Sequence, residues 1–525
     1  MRKIIRGVIS LLVSGIFGVI QGQQMSVGSG GSVTVSAGNY VHVGGNLTVN
    51  ASCSLTIQSN ATASGSLIVT GTATGDITYE RNIPTGGAVA NDWYLVSPPV
   101  QSQSINSFVT NASNSVRTNG ANYAVAIYNN ANPVTRWEYY TTTNAPGAGN
   151  FTNGVGYSTS RGSAGNFTFT GTMAVTDVSA TLMSTTTGID YWFCIGNPYP
   201  SFLPGNNSAV LTNNVLQQNI GRLDTNRAAL YVWDSSLSTP AYVAYNHASG
   251  SAFYLAPGQA FMVKTIDDSE MFTFTESFQS HQSGTDNFSR SVDTMPVIEL
   301  ELSNGSATKM TTIKYFSHTT TGLDIGYDAG TFDGGPGDSF SISTHLVSDS
   351  TGTDFMLQCL PDSNYETMVV PLSVNAGTGE TLTFSAVSSN LPVGIYVYIE
   401  DSLTNEVTRI DDGSSYEVTL TETENGIGRF YLHTTQSVLD VEDLSLSNSI
   451  SMYKTDATNL RITGLDAVGE ASLRMYTITG REVFNHRFTA LRINDIALPD
   501  SLGTGIYITE VESEQGRFTK KIIIE

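Results

Sequence analysis

The chain has 525 residues and a formal net charge of −22. Only 13% of its residues are charged, well under the roughly 25% of ordinary soluble domains, and 50 Gly with abundant Ser, Thr and Asn fill the polar positions instead. That balance argues against nucleic acid and anionic membrane surfaces as partners, while 40% hydrophobic residues argue against disorder. Cys53, Cys194 and Cys359 are far apart and odd in number, so neither a disulfide framework nor a zinc pair is implied. Cys194, in the apolar run Tyr191-Trp-Phe-Cys-Ile195, reads as a small buried hydrophobe.

In chain order, residues 1–22 read as a signal peptide. Arg2, Lys3 and Arg6 form a positive end, Val8 to Ile20 an apolar stretch, and Gly22 a small residue before the cut. The apolar run is short for a membrane span, and no later segment qualifies, so no transmembrane segment is expected in the mature chain. Residues 25–80 beat in short period-two units: Ser32-Val-Thr-Val35, Tyr40-Val-His-Val43, Asn46-Leu-Thr-Val49, Ser54-Leu-Thr-Ile57, Ser66-Leu-Ile-Val69 and Asp76-Ile-Thr-Tyr79. Strands so short bury a face only when stacked, which predicts β-helix-like rungs, with a plain meander as the alternative.

Residues 81–289 are predicted to form a β-sandwich. Trp93-Tyr-Leu-Val-Ser-Pro-Pro99 is echoed by Trp192-Phe-Cys-Ile-Gly-Asn-Pro-Tyr-Pro200, each an aromatic-led strand stopped by prolines in turns where cis bonds are plausible. Ala229-Leu-Tyr-Val-Trp233, the turn Ala256-Pro-Gly258, Ala260-Phe-Met-Val263 and Phe272-Thr-Phe274 complete the block. Residues 279–291 read as a polar linker. Residues 295–434 predict a second sandwich, with strands at Val297-Ile-Glu-Leu-Glu-Leu302, Thr312-Ile-Lys-Tyr-Phe316, Phe340-Ser-Ile342, Glu380-Thr-Leu-Thr-Phe384, Ile395-Tyr-Val-Tyr-Ile399, Tyr416-Glu-Val-Thr-Leu420 and Arg429-Phe-Tyr-Leu432. A second linker covers 436–449, and 450–525 is a compact strand-rich block. No sustained helical period appears, so helices should be few and short.

The last block carries an ordered series. Asn459-Leu-Arg-Ile462 opens it, Ala471-Ser-Leu-Arg-Met-Tyr476 leads into Gly480-Arg-Glu-Val483, and Ile496-Ala-Leu498 precedes Leu502-Gly-Thr-Gly-Ile-Tyr-Ile508. Gly516 sits in the final turn and Lys520-Lys-Ile-Ile-Ile524 ends the strand run. The series resembles the type A C-terminal sorting domain of cargo of the type IX (Por) secretion system in Bacteroidota, although the usual Asn-Pro opening is missing before Asn459. The resemblance implies a small Ig-like β-sandwich that serves as an address. It marks Gly480, Arg481, Gly503, Gly505, Tyr507, Lys520 and Lys521 as sorting-signal positions, with Gly480 allowing a hairpin and Arg481 anchoring it to a carboxylate. It further implies two partners, the outer-membrane translocon and a sortase-like peptidase. The peptidase would cut between 436 and 454, leaving the body attached to anionic lipopolysaccharide or released. Gly-spaced rungs and segments such as Gly196-Asn-Pro-Tyr-Pro-Ser201 and Gly322-Leu-Asp-Ile-Gly-Tyr-Asp-Ala329 are similar to parts of surface proteins of that phylum.

Chemistry is sparse. None of the seven His lies in HExxH, and neither a GxSxG elbow nor a Walker A loop is present. A glycoside hydrolase needs only two facing carboxylates, which sequence spacing does not reveal. Asp324, Asp328, Asp333 and Asp338, among Gly326, Gly330, Gly334, Gly335 and Gly337, read either as solvated turn residues or as calcium ligands. Trp137, Tyr139 and Tyr140 sit in a charged, wet context and are candidates for stacking on glycans, while Trp93, Trp192 and Trp233 lie in apolar runs and read as core. Asp293-Thr-Met295, Asp401-Ser-Leu403 and Asp500-Ser-Leu502 resemble O-glycosylation acceptors of the same phylum. The expectation is an exported, non-enzymatic, all-β surface or secreted protein with a structural, adhesive or binding role and no required cofactor. The alternatives are a glycan-binding surface protein and a secreted hydrolase.

Overall fold

The short pieces at the start of the chain stack into a three-sided parallel solenoid. Its strands are β1 (Gln21–Gly22), β2 (Met25–Val27), β3 (Ser32–Val35), β4 (Tyr40–Val43), β5 (Leu47–Val49), β6 (Ser54–Gln58), β7 (Ser66–Val69), β8 (Ala73–Thr74) and β9 (Ile77–Ile83). Each strand pairs in parallel with the third one after it, so that Gln21 meets His42, Met25 meets Leu47, and Ser32 meets Ser54. Alternate residues point inward, and Val43, Leu47, Leu55, Ile57, Leu67 and Val69 are all buried. The backbone turns sharply before β9 at Gly75, whose φ is +88°; a Cβ there would stand 1.9 Å from the Val49 carbonyl oxygen, a fit only glycine allows.

The structure is a computed structural model. It describes residues 21–22, 24–83, 92–130, 132, 135–182, 191–235, 237, 240–248, 252–267, 269–282, 295–333, 338–347, 353–435, 451–454, 459–465, 469–477, 481–491, 493–499, 502, 505–513 and 516–524. Most of the expected signal peptide therefore lies outside the described residues, as does the linker at 436–449. The chain divides into two units, the first running to residue 293 and the second from 294 onward, with residues 334–336 grouped with the first.

In the first unit the solenoid does not end at residue 80. Strand β9 continues through Ile83 and pairs antiparallel with a later strand, Gly165–Gly171, setting Tyr79 opposite Phe169 and Arg81 opposite Phe167. Phe108, Phe151, Tyr157, Phe167 and Phe169 join the solenoid's Ile57, Leu67 and Tyr79 in one apolar cluster. The expected boundary at 80/81 falls inside a strand because the last rung needs a cover, which the following region supplies. Among the described residues that region has two two-stranded sheets, Val178–Leu182 with Glu270–Phe274 and Leu203–Pro204 with Tyr254–Leu255, and two larger ones. One runs Tyr94–Val96, Tyr157–Thr159, Asn122–Tyr128 and Thr118–Asn119, with Trp137–Thr141 also paired to Asn122–Tyr128. The other runs Trp192–Gly196, Ala260–Lys264, Leu230–Asp234 and Ala241–Tyr245. The two Pro-stopped repeats meet where these sheets adjoin: a Cβ on Gly196 would lie 2.5 Å from the Ser97 Cβ. All described peptide bonds are trans, including those at the turns where the prolines made cis plausible. Helix is confined to short pieces such as Ile105–Thr110 and Val215–Asn219.

The expected linker begins as packed structure. Ser280 exchanges backbone hydrogen bonds with Phe202 (3.1 and 2.8 Å), and the Ser201 hydroxyl donates to Gln279 Oε1. His281 stacks on Tyr40 with ring centroids 4.3 Å apart, and its Nδ1 is 2.8 Å from Ser66 Oγ. The segment thus straps one solenoid face, and only residues 283–291 of the expected linker lie outside the described residues.

The second unit begins with one eleven-stranded sheet that rolls over a single core. Its path ends on Glu406–Arg409 and Ser415–Thr419, consecutive strands in the chain, so the sandwich-like sheet nearly closes into a barrel. Ile410 stitches the seam, donating its N–H to Val397 O (3.0 Å) and accepting from Ala386 N (2.9 Å). Every strand expected in 295–434 is present with different ends; Ala329–Gly330, Phe355–Pro361, Val369–Ala376 and Glu406–Arg409 are additional. The closing block is a seven-strand sandwich with its own core. Ser451–Lys454, Asn459–Thr463 and Ile493–Ala497 form one sheet, and Glu482–Thr489, Glu470–Thr477, Gly505–Ser513 and Gly516–Ile524 the other.

Because solenoid and cover share one core, Phe169→Ala should cost about 3–5 kcal/mol. Hydrogen exchange should then show residues 40–83 and 157–171 losing protection together. Loss confined to 157–171 would contradict the shared core.

Candidate functional site

Strand alternation decides which aromatics of Trp137–Thr141 work together. Trp137 and Tyr139 share one face, while Tyr140 points to the other and packs against the first unit's core. Burial also raises the Tyr140 hydroxyl pKa well above its ordinary value. Tyr140 therefore does not belong with the proposed stacking pair. Near Trp137 and Tyr139 stand other aromatics, among them Trp93, which was read from sequence as core. Trp93 is half-buried and meets Tyr139 edge-on at 5.8 Å. Tyr128, directly across the ladder from Trp137, meets it at 5.1 Å. On the adjoining sheet, Trp233 is half-buried against Tyr242 at 5.1 Å. Trp192 is fully buried and packs on Tyr231. Of the three tryptophans expected in the core, only Trp192 lies wholly within it; Trp93 stands just before its strand and Trp233 near the end of one.

The four aspartates do not converge. Asp324 Oδ2 accepts from Thr320 N and Oγ1 (2.6 and 3.1 Å). Asp328 is fully buried and takes N–H bonds from Asp324 and Cys359, both at 2.7 Å. Asp338 pairs with Lys309 at 2.6 Å, and Asp333 is itself partnered. Asp324 and Asp328 thus pin backbone of the loop and of Cys359, and Asp338 pairs with a lysine. Among the described residues no group of three or more His, Cys, Asp or Glu is placed to hold a metal ion.

Other buried charges are structural as well. Asp401 receives a bidentate pair from Arg429 (2.9 and 2.8 Å), the Tyr416 hydroxyl (2.9 Å) and Leu403 N (2.9 Å), and Arg429 also reaches Glu424 at 2.6 Å. Burial works against the Arg429 charge, but the bonds to Asp401 and Glu424 outweigh it and hold its pKa above the ordinary value. Asp401, the first residue of an expected O-glycosylation acceptor, is thus engaged inside the sheet; Thr294 and Ser501 of the other two lie outside the described residues. An open groove of about 530 Å³ lies beside the seam, lined by Val387, Leu391, Val393, Tyr396 and Arg409. Arg409 there lies 4.0 Å from the Tyr396 ring centroid and pairs with Asp411. All three cysteines are free thiols; Cys194 and Cys359 are buried, and burial raises the Cys194 pKa.

In the last block, Gly480 and Gly503 lie outside the described residues. Arg481 is exposed, and among the described residues its side chain pairs with no carboxylate. The hairpin is instead closed by Thr477 N donating to Arg481 O (2.9 Å) and Arg481 N donating to Thr477 Oγ1 (3.2 Å). Gly505 opens a strand on which Tyr507, buried, lies opposite Ile522. Lys520 and Lys521 sit on the closing strand opposite Thr509 and Ile508.

The comparisons with known proteins follow this division. A model for a domain of unknown function, DUF8693, matches residues 7–433. The chain belongs to that family. A second model, the secretion system C-terminal sorting domain, matches residues 454–525, so this DUF8693 protein is cargo of the type IX secretion system. The tail implies interaction with that machinery, and export to secretion or cell-surface attachment. Among the described residues no helix is long and apolar enough to cross a membrane. A search of curated proteins found no match. One solved structure, a tetra-tandem repeat in the extending region of a large adhesion protein, is 11% identical over 58% of this chain and 93% of its own, with a TM-score of 0.12.

Two outcomes are expected. Arg429→Leu, which strands the Asp401 carboxylate, should cost about 3–5 kcal/mol in chemical denaturation. The two units should also respond oppositely to acid. Burial lowers His247 and His281 to about 4, with His42 adding to the effect at His281. The unfolded chain thus binds more protons below about pH 6.5, and the first unit loses stability as pH falls from there toward 4. Desolvation raises Asp328 to about 7 against a model-compound value of 3.8, so the second unit gains stability over the same fall. Urea midpoints between pH 4 and 7.5 should show both slopes, the first weakened in His281→Phe and the second in Asp328→Asn.

Proposed function

We propose that the DUF8693 body acts outside the cell as a non-enzymatic structural, adhesive or binding component, displayed on the surface or shed from it. The observation that carries this reading is the division of the chain. The sorting domain holds its own core, distinct from that of the preceding sheet, so the address is separable from what it delivers. In this reading a sortase-like peptidase cuts between 436 and 454, and the body is joined to anionic lipopolysaccharide or released. The non-enzymatic part is supported by the buried carboxylates, since Asp328, Asp401 and Glu424 each have structural partners. A hydrolase would instead need two carboxylates facing across a cleft.

Fractionation with peptide mass spectrometry, in cells with and without a working type IX translocon, tests the reading. The body is expected at the surface or in the medium without peptides from 516–524, and held in the periplasm when the translocon is absent. A surface form that still carries Ile522 would overturn the cut, and release of reducing sugars from polysaccharides by the purified body would overturn the non-enzymatic role.

A further inference from the structure

Three aromatic pairs stand on two sheets of the first unit. Trp93 and Tyr139 make the first, Trp137 and Tyr128 the second, and Trp233 and Tyr242 the third. The first two are joined through strand Trp137–Thr141, on which Trp137 and Tyr139 share a face. The third stands on the adjoining sheet, where the Tyr242 hydroxyl is buried. The rings of the first two pairs form one band on the sheet of Trp137–Thr141: Trp93, Tyr128 and Trp137 are half-buried and Tyr139 is 37% exposed.

The Tyr139 hydroxyl on this band has no hydrogen-bond partner among the described residues.

We propose that this band is a carbohydrate-binding site for a neutral oligosaccharide chain, an inference that rests on the displayed-binding reading above. A pyranose offers a flat C–H face to an aromatic ring and hydroxyls at its rim, the complement of half-exposed rings with an open tyrosine hydroxyl. A peptide groove would combine aliphatic anchors with the rings, whereas this band is built of Trp and Tyr. The net charge of −22 disfavours sulfated or uronic-acid polymers, so the ligand class is neutral.

Affinity electrophoresis of the full chain tests the site, through gels carrying a soluble β-1,4-glucan, a β-1,3-glucan or an α-mannan, with polygalacturonate as the acidic control. At least one neutral polymer should retard the wild type. Trp137→Ala and Tyr139→Ala should weaken that retardation by about tenfold, as expected for central aromatic anchors, with unchanged melting temperature. Leu211→Ala, on an exposed loop elsewhere, should leave it intact. Equal retardation of wild type and both variants would overturn the site and leave the binding reading standing. Retardation by no neutral polymer would overturn the carbohydrate inference, and attachment of cells lacking the chain would then judge the broader reading separately.

Discussion

A strand of four residues buries only alternate side chains and leaves both of its edges unpaired, so it cannot persist alone. The first unit depends on how that constraint is met. Each solenoid strand satisfies its edge groups by parallel pairing with the next turn, and the inward residues of all three sides merge into one core. The last turn would still expose an edge, the condition that invites unwanted pairing. Strand β9 meets this by extending past residue 80 and pairing antiparallel with Gly165–Gly171. Pro200 O accepts from Leu67 N on another side, and His281 lies over Tyr40.

The second unit answers the same constraint by curling. Its eleven-stranded sheet brings its two end strands together through the turn that joins them, and Ile410 bonds to both flanks of the seam. The Asp401–Arg429–Glu424 cluster is buried beside Tyr416, on one of those end strands. Such a cluster is costly to break because removing one member leaves an uncompensated charge. The closing sandwich repeats the theme at smaller scale, with Met452, Leu473 and Val511 enclosed between its two sheets.

Much of this was legible from residues alone, because period-two alternation is a local signal. The rungs and most strands of 295–434 follow from it, and most strands of the last block lie in the motif series that starts at Asn459, while Ser451–Lys454 was not expected. What was missed depends on partners far away in sequence. Val369–Ala376 was not expected; it pairs with strands on both sides although it contains Pro371, because the ladder with Ser341–Thr344 ends at Leu372, short of the proline. A change of composition near residue 80 suggested a boundary, but composition does not show that a last rung needs a cover. Tyr140 was grouped with Trp137 and Tyr139 by proximity, where alternation in the same strand separates it. Trp93 and Trp233 were read as core from their apolar neighbours; that they lie half-open beside Tyr139 and Tyr242 is a matter of two sheets meeting, which no local pattern records. The aspartates were read as a cluster because glycines surround them, but Asp324 and Asp328 face backbone N–H groups, one from the distant Cys359, and Asp338 faces Lys309.

The claim on which the functional account stands is that address and activity reside in separate parts of the chain. Transplantation tests it most directly: residues 436–525 fused behind a signal peptide and an unrelated periplasmic reporter, in cells with a working type IX translocon. The account predicts that the reporter reaches the surface or the medium without the final strand, and stays in the periplasm when the translocon is removed. A reporter that remains periplasmic while the full chain is exported would contradict it and would assign part of the address to the body.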